Sequence, residues 1–382
     1  MAEDRPVIAH VLHRLYLAGA EVLAADLARR MRGRYTFVFF CLDEVGPLGE
    51  QLRGEGFAVL NLGRRPGVDR AVARRMRSLI AEHRVLLLHA HQYTPFFYAA
   101  AGRGLLRPGG PAILFTEHGR HYPDQRKLKR VLANRLLLRR RDRVTAVGEF
   151  VKQALVANEG IAAKRIEVIR NGIDPAAFAA GDRVAARAAL RRELNLPADA
   201  AVVLHVARFH PVKDHATGLR AFAHAAKRAP MAVLLLAGDG EKRGAIESLA
   251  RELGVAERVR FLGVRSDVAR LVGGSDVFML SSVSEGISVT LLEAMAASLP
   301  IAATAVGGNG EVVAHDHTGL LSPRGDADAL GENLARLLND ADLRARFGEA
   351  GRARLLQHFT QQQMHDAYAT VYDRMLSVGR EA

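Results

Sequence analysis

A chain of 382 residues with 49% hydrophobic residues and ordinary glycine and proline content (35 and 13) is long enough for two substantial α/β cores and points to a soluble, folded protein. Its single cysteine, Cys41, excludes an internal disulfide and a thiolate metal cluster, while a formal net charge of +13 demands a partner or an explanation. No apolar run reaches the roughly 18 residues of a membrane span, and Met1-Ala-Glu-Asp-Arg5 lacks the hydrophobic core of a secretory signal, so cytoplasmic function is expected.

In the first half, residues 7–12, 36–42, 85–89, 113–116 and 143–147 read as strands, with helical patterns such as 21–31 and 70–83 between them. Cys41 falls in the second strand and is expected to be a buried, inert thiol. The loop after the first strand holds Gly19, where a missing side chain would let the backbone approach a ligand; an ordinary turn before the helix near Glu21 competes with that reading. His89 and His91 end the third strand, and His118 follows the fourth. The segment 126–143 concentrates Arg126, Lys127, Lys129, Arg130, Arg135, Arg139, Arg140, Arg141 and Arg143 around Leu128, Val131, Leu132 and Leu136 at helical spacing. That is a basic amphipathic helix able to rest on an anionic membrane surface, or equally a packed helix with a solvated basic face. Nucleic acid is discounted, because no aromatic stacking surface or nucleic-acid motif accompanies the charge.

The segment 174–199, with its Ala-rich helix, reads as the linker to a second alternating run with strands at 202–206, 233–237, 259–262, 277–280 and 301–303. Such alternation predicts two parallel sheets covered by helices, with ligands outside the carboxyl ends of the strands. The last helical stretch, 360–376, carries Met364, Tyr368, Val371, Tyr372 and Met375 on one face and is expected to return to the first domain.

The second run carries the chemistry. Arg208 and Lys213 lie five apart in the loop after the 202–206 strand, with Asp214 placed to cap the next helix; two cations there suit a diphosphate clamp, against the plainer alternative of an exposed basic loop. Glu285 sits in the Gly-containing turn after 277–280, and Glu293 lies in the helix that this turn opens. The amides of Gly286, Ile287, Ser288 and Val289 at the helix start would meet phosphate and sugar hydroxyls, Glu285 a sugar and Glu293 a ribose. Capping and solvation would account for two isolated glutamates; the neighbouring cations favour the ligand. Gly240 and Gly263 either leave room for the nucleotide or form turns. Asp326-Ala-Asp328 follows Pro323 and Gly325, so it reads as a helix cap rather than as metal-binding acids.

The order of Arg208 and Lys213, Leu236-Ala-Gly-Asp-Gly-Glu241, Phe261-Leu-Gly263, Glu285 to Glu293 and Val306-Gly-Gly-Asn-Gly-Glu311 resembles family 4 of the retaining glycosyltransferases. The likeness extends through Ala18-Gly-Ala-Glu21, His89-Ala-His91, Thr116-Glu-His-Gly119 and Asn171-Gly-Ile-Asp174. It implies the GT-B architecture: two Rossmann-like doubly wound parallel-sheet domains facing a central cleft. Residues 1–175 would bind the acceptor, completed by the helix 360–382, and 176–359 would bind the nucleotide sugar. The resemblance adds His118 as a contact to the donor sugar and to charge developing at the anomeric carbon; His89 and His91, also at a strand end, are weaker candidates for acceptor contact, and Asn171 and Gly172 shape the hinge. Ala18 and Ser288 stand where the family commonly has glycine. The implied reaction moves a sugar from a nucleoside diphosphate to an acceptor hydroxyl with retention, needing no cofactor or metal, in surface polysaccharide or glycolipid synthesis. Same-face displacement is favoured over a glycosyl-enzyme route, because no carboxylate is assignable as nucleophile. A sugar-nucleotide epimerase on the same plan and an inactive basic binding protein are the alternatives.

Overall fold

The structure, a computed structural model, describes residues 5–16, 19–104, 109–119, 125–178 and 182–377. Ala18 of the first glycine motif and the ends of the chain lie outside the described residues. Among the described residues thirteen strands follow one another: β1 (Val7–Leu12), β2 (Thr36–Cys41), β3 (Ala58–Asn61), β4 (Val85–His91), β5 (Ala112–Glu117), β6 (Arg143–Ala146), β7 (Ile166–Val168), β8 (Ala201–Val206), β9 (Ala232–Ala237), β10 (Val259–Gly263), β11 (Val277–Leu280), β12 (Ile301–Thr304) and β13 (Gly319–Ser322). They form a seven-stranded sheet in the order β3-β2-β1-β4-β5-β6-β7 and a six-stranded sheet in the order β10-β9-β8-β11-β12-β13. Among the described residues the pairings within the two sheets are all parallel. Strand order reverses between β1 and β4 in one sheet and between β8 and β11 in the other, which is where doubly wound sheets leave a crevice.

The first compact unit runs to Gly119, continues to Ile169 and takes up the chain again from Met364; the second spans Arg170–Gln363. The chain therefore crosses at Ile169–Arg170 and not in the segment 174–199. The helix expected to be a linker, Arg183–Glu193, is instead a packed part of the second unit, with Leu190 and Arg191 buried in it. Both crossing segments are tied together inside that unit. Ile173 N donates to Phe359 O at 3.1 Å and Gln361 N to Ile173 O at 2.8 Å, and a Cβ on Gly172 would stand 2.2 Å from Thr360 O. In the first unit, helix Gln361–Ser377 buries Met364, Tyr368, Val371, Tyr372 and Met375 in the core that also holds Leu12, Phe37 and Leu114. Cys41 is buried in the same core, where burial pushes its thiol up to about 12.

The two sheets share an anchor at their amino edges. Asp142, one residue ahead of β6, accepts from Ile113 N at 2.9 Å and from both terminal nitrogens of Arg103 at 2.6 and 2.7 Å. Asp276, one residue ahead of β11, accepts from Val202 N at 2.7 Å and from Arg191 at 2.6 Å. All four side chains are almost wholly buried, so each charge is neutralised where water cannot screen it.

Candidate nucleotide-sugar site

In the second unit the carboxyl ends of β8 to β12 gather the residues singled out by type and spacing. β8 delivers the loop with Arg208 and Lys213, which closes on Asp214, whose side chain accepts from Thr217 N at 3.2 Å and so caps helix His215–Ala225. β11 delivers Ser281 to Glu285, and these two loops meet at the point where strand order reverses. Val283 N donates to Val212 O at 2.8 Å, and Ser281 Oγ donates to Asp214 O at 2.8 Å. Lys213 Nζ reaches Glu285 Oε1 at 2.6 Å, and Ser282 Oγ donates to the same oxygen at 2.5 Å. The clamp lysine and the sugar-facing glutamate, assigned separate roles from sequence, are thus one ion pair in the free chain, with Glu285 Oε2 left without a protein partner among the described residues. Arg208 is exposed, and its guanidinium likewise has no partner among them.

The turn that opens helix Val289–Ala296 is held flat from beneath. Gly307 (φ +51°) and Gly308 run so close that a Cβ would lie 1.9 Å from Glu285 O and 2.0 Å from Gly286 O, so only glycine fits there. Asn309 Nδ2 donates to Thr304 O at 3.0 Å and Thr304 Oγ1 to Ser282 O at 2.6 Å, which completes the support. The amides of Gly286, Ile287, Ser288 and Val289 have no acceptor among the described residues. Ser288 does not cap the helix: its hydroxyl pairs with Thr290 Oγ1 at 3.1 Å. It is also 5% exposed. Glu293, one turn into this helix, is half-buried and has no hydrogen-bond or ion-pair partner among the described residues; burial alone lifts its carboxyl to about 7.

Two glycines divide between the readings offered for them. Gly240 makes room for protein rather than ligand, since a Cβ there would stand 2.6 Å from Phe209 O. It lets the β9 loop lie against the β8 loop, where Phe209 N donates to Asp239 O at 2.9 Å. Gly263 has open space around its Cβ position. Asp326 accepts from Ala329 N at 2.9 Å, the cap expected of it.

In the first unit the expected residues again lie at the carboxyl edge. Gly19 opens helix Gly19–Met31, exposed and with nothing within 4 Å of its Cβ position. His89 corrects expectation: it is 0% exposed, with Nδ1 on Tyr372 Oη and Nε2 on Thr116 Oγ1, both at 2.7 Å. It is a core group, not an acceptor contact. His91, 2% exposed, is also engaged at both nitrogens, with His10 Nδ1 at 2.8 Å and His118 Nε2 at 2.9 Å. Of the three predicted histidines only His118 has a nitrogen, Nδ1, without a partner among the described residues. His10, which sequence reading missed, could have been marked only as a polar residue inside the apolar run of β1. Nitrogens of His10, His89 and His91 come within 4.8 Å of one another, and both nitrogens of His89 and of His91 are engaged in hydrogen bonds within the protein. Burial holds all four rings neutral, with His10 lowered to about 3, His118 to about 4, and His89 and His91 well below their usual value.

The basic segment also differs from expectation. In helix Leu128–Leu137, Val131 and Leu137 face the core, whereas Leu128, Leu132 and Leu136 are 68%, 60% and 80% exposed, one turn apart. Arg139 donates to Gly109 O at 2.8 Å, Arg141 to Gly110 O, and Arg130 pairs with Glu159 at 3.0 Å. Those arginines serve the fold, while Arg126, Lys127, Lys129, Arg135 and Arg140 are exposed. No helix among the described residues is long and apolar enough to cross a membrane.

Residues 186–354 match the family described as glycosyl transferases group 1, and residues 17–177 match glycosyltransferase family 4. The chain is 29% identical over 313 residues to N-acetyl-alpha-D-glucosaminyl L-malate synthase of Bacillus anthracis, covering 80% of this chain and 79% of that protein. It is 31% identical over 297 residues to the GDP-mannose-dependent alpha-(1-6)-phosphatidylinositol monomannoside mannosyltransferase of Mycobacterium tuberculosis, covering 73% of each. The Anabaena protein Alr3699/HepE, solved in complex with UDP, superimposes with a TM-score of 0.83 at 21% identity over 97% of this chain and 100% of that one. Two doubly wound sheets, the ordered motifs and these matches agree: the chain has the GT-B fold and belongs to the group 1, family 4 glycosyltransferases.

Proposed function

We propose that this glycosyltransferase moves a sugar from a nucleoside diphosphate to an acceptor hydroxyl with retention at the anomeric carbon and without a metal ion. The observation that carries the reading is the convergence, at the switch point of the second sheet, of two cations, four unpaired amides and a half-buried carboxylate without a partner. The cations and amides suit the pyrophosphate, and Glu293 suits the ribose hydroxyls. Charge grows on the leaving diphosphate as the glycosidic bond breaks, so groups fixed beside it stabilise the transition state more than the bound donor. Lys213 then bridges diphosphate and Glu285, and Glu285 Oε2 accepts from a sugar hydroxyl. With no carboxylate assigned as nucleophile, the leaving diphosphate takes the acceptor proton on the same face. His118, neutral near pH 7, hydrogen-bonds the donor sugar, as the family resemblance implies.

Thermal-shift titration with UDP, GDP and ADP, each with EDTA or magnesium, tests the site. UDP is the first choice, since Alr3699/HepE was solved with it. Stabilisation by one diphosphate, unchanged by EDTA, is expected; no shift with any of them overturns the reading. Analysis of the product's anomeric configuration then separates retention from inversion, and isomerisation of the sugar nucleotide with no acceptor present would favour an epimerase.

A glycolipid or lipid-linked glycan is the acceptor class supported by the exposed Leu128, Leu132 and Leu136 among Lys127, Lys129 and Arg135. The mycobacterial relative is named for a phosphatidylinositol substrate. This face would hold the enzyme peripherally on an anionic membrane. Sedimentation with anionic vesicles should fall with salt and with Leu132→Ser/Leu136→Ser; binding indifferent to both would remove the membrane role.

A further inference from the structure

Three imidazoles form one chain from the core to the carboxyl edge of the first sheet. His10 Nδ1 lies 2.8 Å from His91 Nε2, and His91 Nδ1 lies 2.9 Å from His118 Nε2. A neutral imidazole carries one N–H and one bare nitrogen, so each contact needs a donor facing an acceptor. Only two concerted arrangements satisfy both. Either all three rings are protonated on Nδ1, or all three are protonated on Nε2.

The inner end of the chain selects between them. His10 Nε2 is buried and has no hydrogen-bond partner. Its ring is stacked between those of Phe37 and Phe39, with centroids 5.4 and 5.3 Å away. The Nε2 arrangement would strand an N–H there, whereas the Nδ1 arrangement leaves only a bare nitrogen, and orphaned buried N–H groups are the rarer defect in folded proteins. We propose that His10 and His91 are positioning residues that fix His118 as its Nδ1–H tautomer, so that it presents a hydrogen-bond donor to an oxygen of the donor sugar. The inference rests on the reading that His118 meets that sugar, and it goes further in fixing the direction of the hydrogen bond. Burial supports it by keeping the rings neutral, since a charged His118 would donate from both nitrogens and need no alignment.

Nitrogen-15 spectra of histidine-labelled enzyme read the tautomer directly, without turnover. His10, His91 and His118 should all show a protonated Nδ1 and a bare Nε2; a protonated Nε2 on His118 overturns the proposal. Kinetics supply the second arm. His10→Leu should lower kcat at least about tenfold, as misaligned supporting groups do, while His10→Asn, which keeps a donor near the Nδ1 position, should restore most of it. His10→Leu in a His118→Ala background should cost nothing further; losses that multiply would show that His10 acts elsewhere and overturn the proposal. Full turnover by His118→Ala would instead remove the contact to the sugar, while the spectra would still decide the tautomer.

Discussion

The amino edges of the two sheets are built alike and their carboxyl edges are not. At both amino edges an aspartate just ahead of a strand takes a neighbouring strand's amide and a buried arginine, so that each charge is neutralised inside the protein. At the carboxyl edge of the first sheet the candidate site residues are neutral histidines, hydrogen-bonded to one another and to threonine and tyrosine, and the charges nearby are paired, as Asp43 is with Arg64. At the carboxyl edge of the second they are charged, and several have no partner. Burial with full pairing marks scaffold; burial or convergence without pairing marks a place kept for something else.

The largest effect should come from removing the charge that the second edge concentrates. Lys213→Ala should lower kcat by about a hundredfold to a thousandfold, the usual loss of one fixed donor at developing negative charge. It also strands the largely buried Glu285 carboxylate, so the melting temperature should drop. Lys213→Ala/Glu285→Gln should recover stability but not turnover. Recovery of both would show that the pair is an anchor like those of the amino edges.

Those anchors give the next test. Arg103→Met leaves the buried Asp142 without its counter-ion, at a cost of about 3–5 kcal/mol in urea unfolding, while Arg191→Met leaves Asp276 with Arg187 alone, 2.5 Å away, and should cost less. In Arg191→Met that remains folded, nucleotide affinity should be unchanged. A variant that stays stable but loses affinity would erase the distinction between the two edges.

A glycine pair sharpens it further. Gly307→Ala forces a side chain onto the Glu285 carbonyl at a positive φ and should cost about 1–3 kcal/mol together with activity. Gly263→Ala meets a positive φ in open space and should cost only about 1 kcal/mol. Equal losses would mean that the tight backbone contact under Glu285 contributes nothing.

Sequence patterns revealed this molecule unevenly, for physical reasons. Strands paired on both sides are predominantly apolar runs, and β1, β4, β8, β9 and even the four residues of β11 were legible as such. β3, β7 and β13 were not: each is a short sheet-edge strand that mixes apolar residues with a polar one. The second site was legible because cations, glycines and acids at strand ends are costly to place without use. The first was misread at His89 and His91, because a histidine in a strand looks the same whether it faces a ligand or a tyrosine from a helix nearly three hundred residues on. Arg103, Asp142, Arg191 and Asp276 carried no sequence signal, since nothing local distinguishes a buried ion pair from two solvated charges.

The last comparison concerns Glu293. Its carboxyl sits at about 7 in the folded protein, above the ordinary value of 4.5, because burial penalises the charged form. The folded chain keeps this proton where the unfolded chain gives it up, so its contribution to stability is fully present below pH 4.5 and is lost as pH rises through 7. Glu293→Gln should therefore match the wild type in melting temperature at pH 4.5 and exceed it increasingly up to pH 7, with a constant margin beyond. Ribose hydroxyls donating to the carboxylate would favour its ionised form, so nucleotide binding near neutrality should release protons from the wild type and none from the variant. Calorimetry in buffers of different ionisation enthalpy measures that release directly. Equal proton release by both would place the nucleotide away from Glu293, and with it the half-buried carboxylate would join the amino-edge acids as a feature of the fold alone.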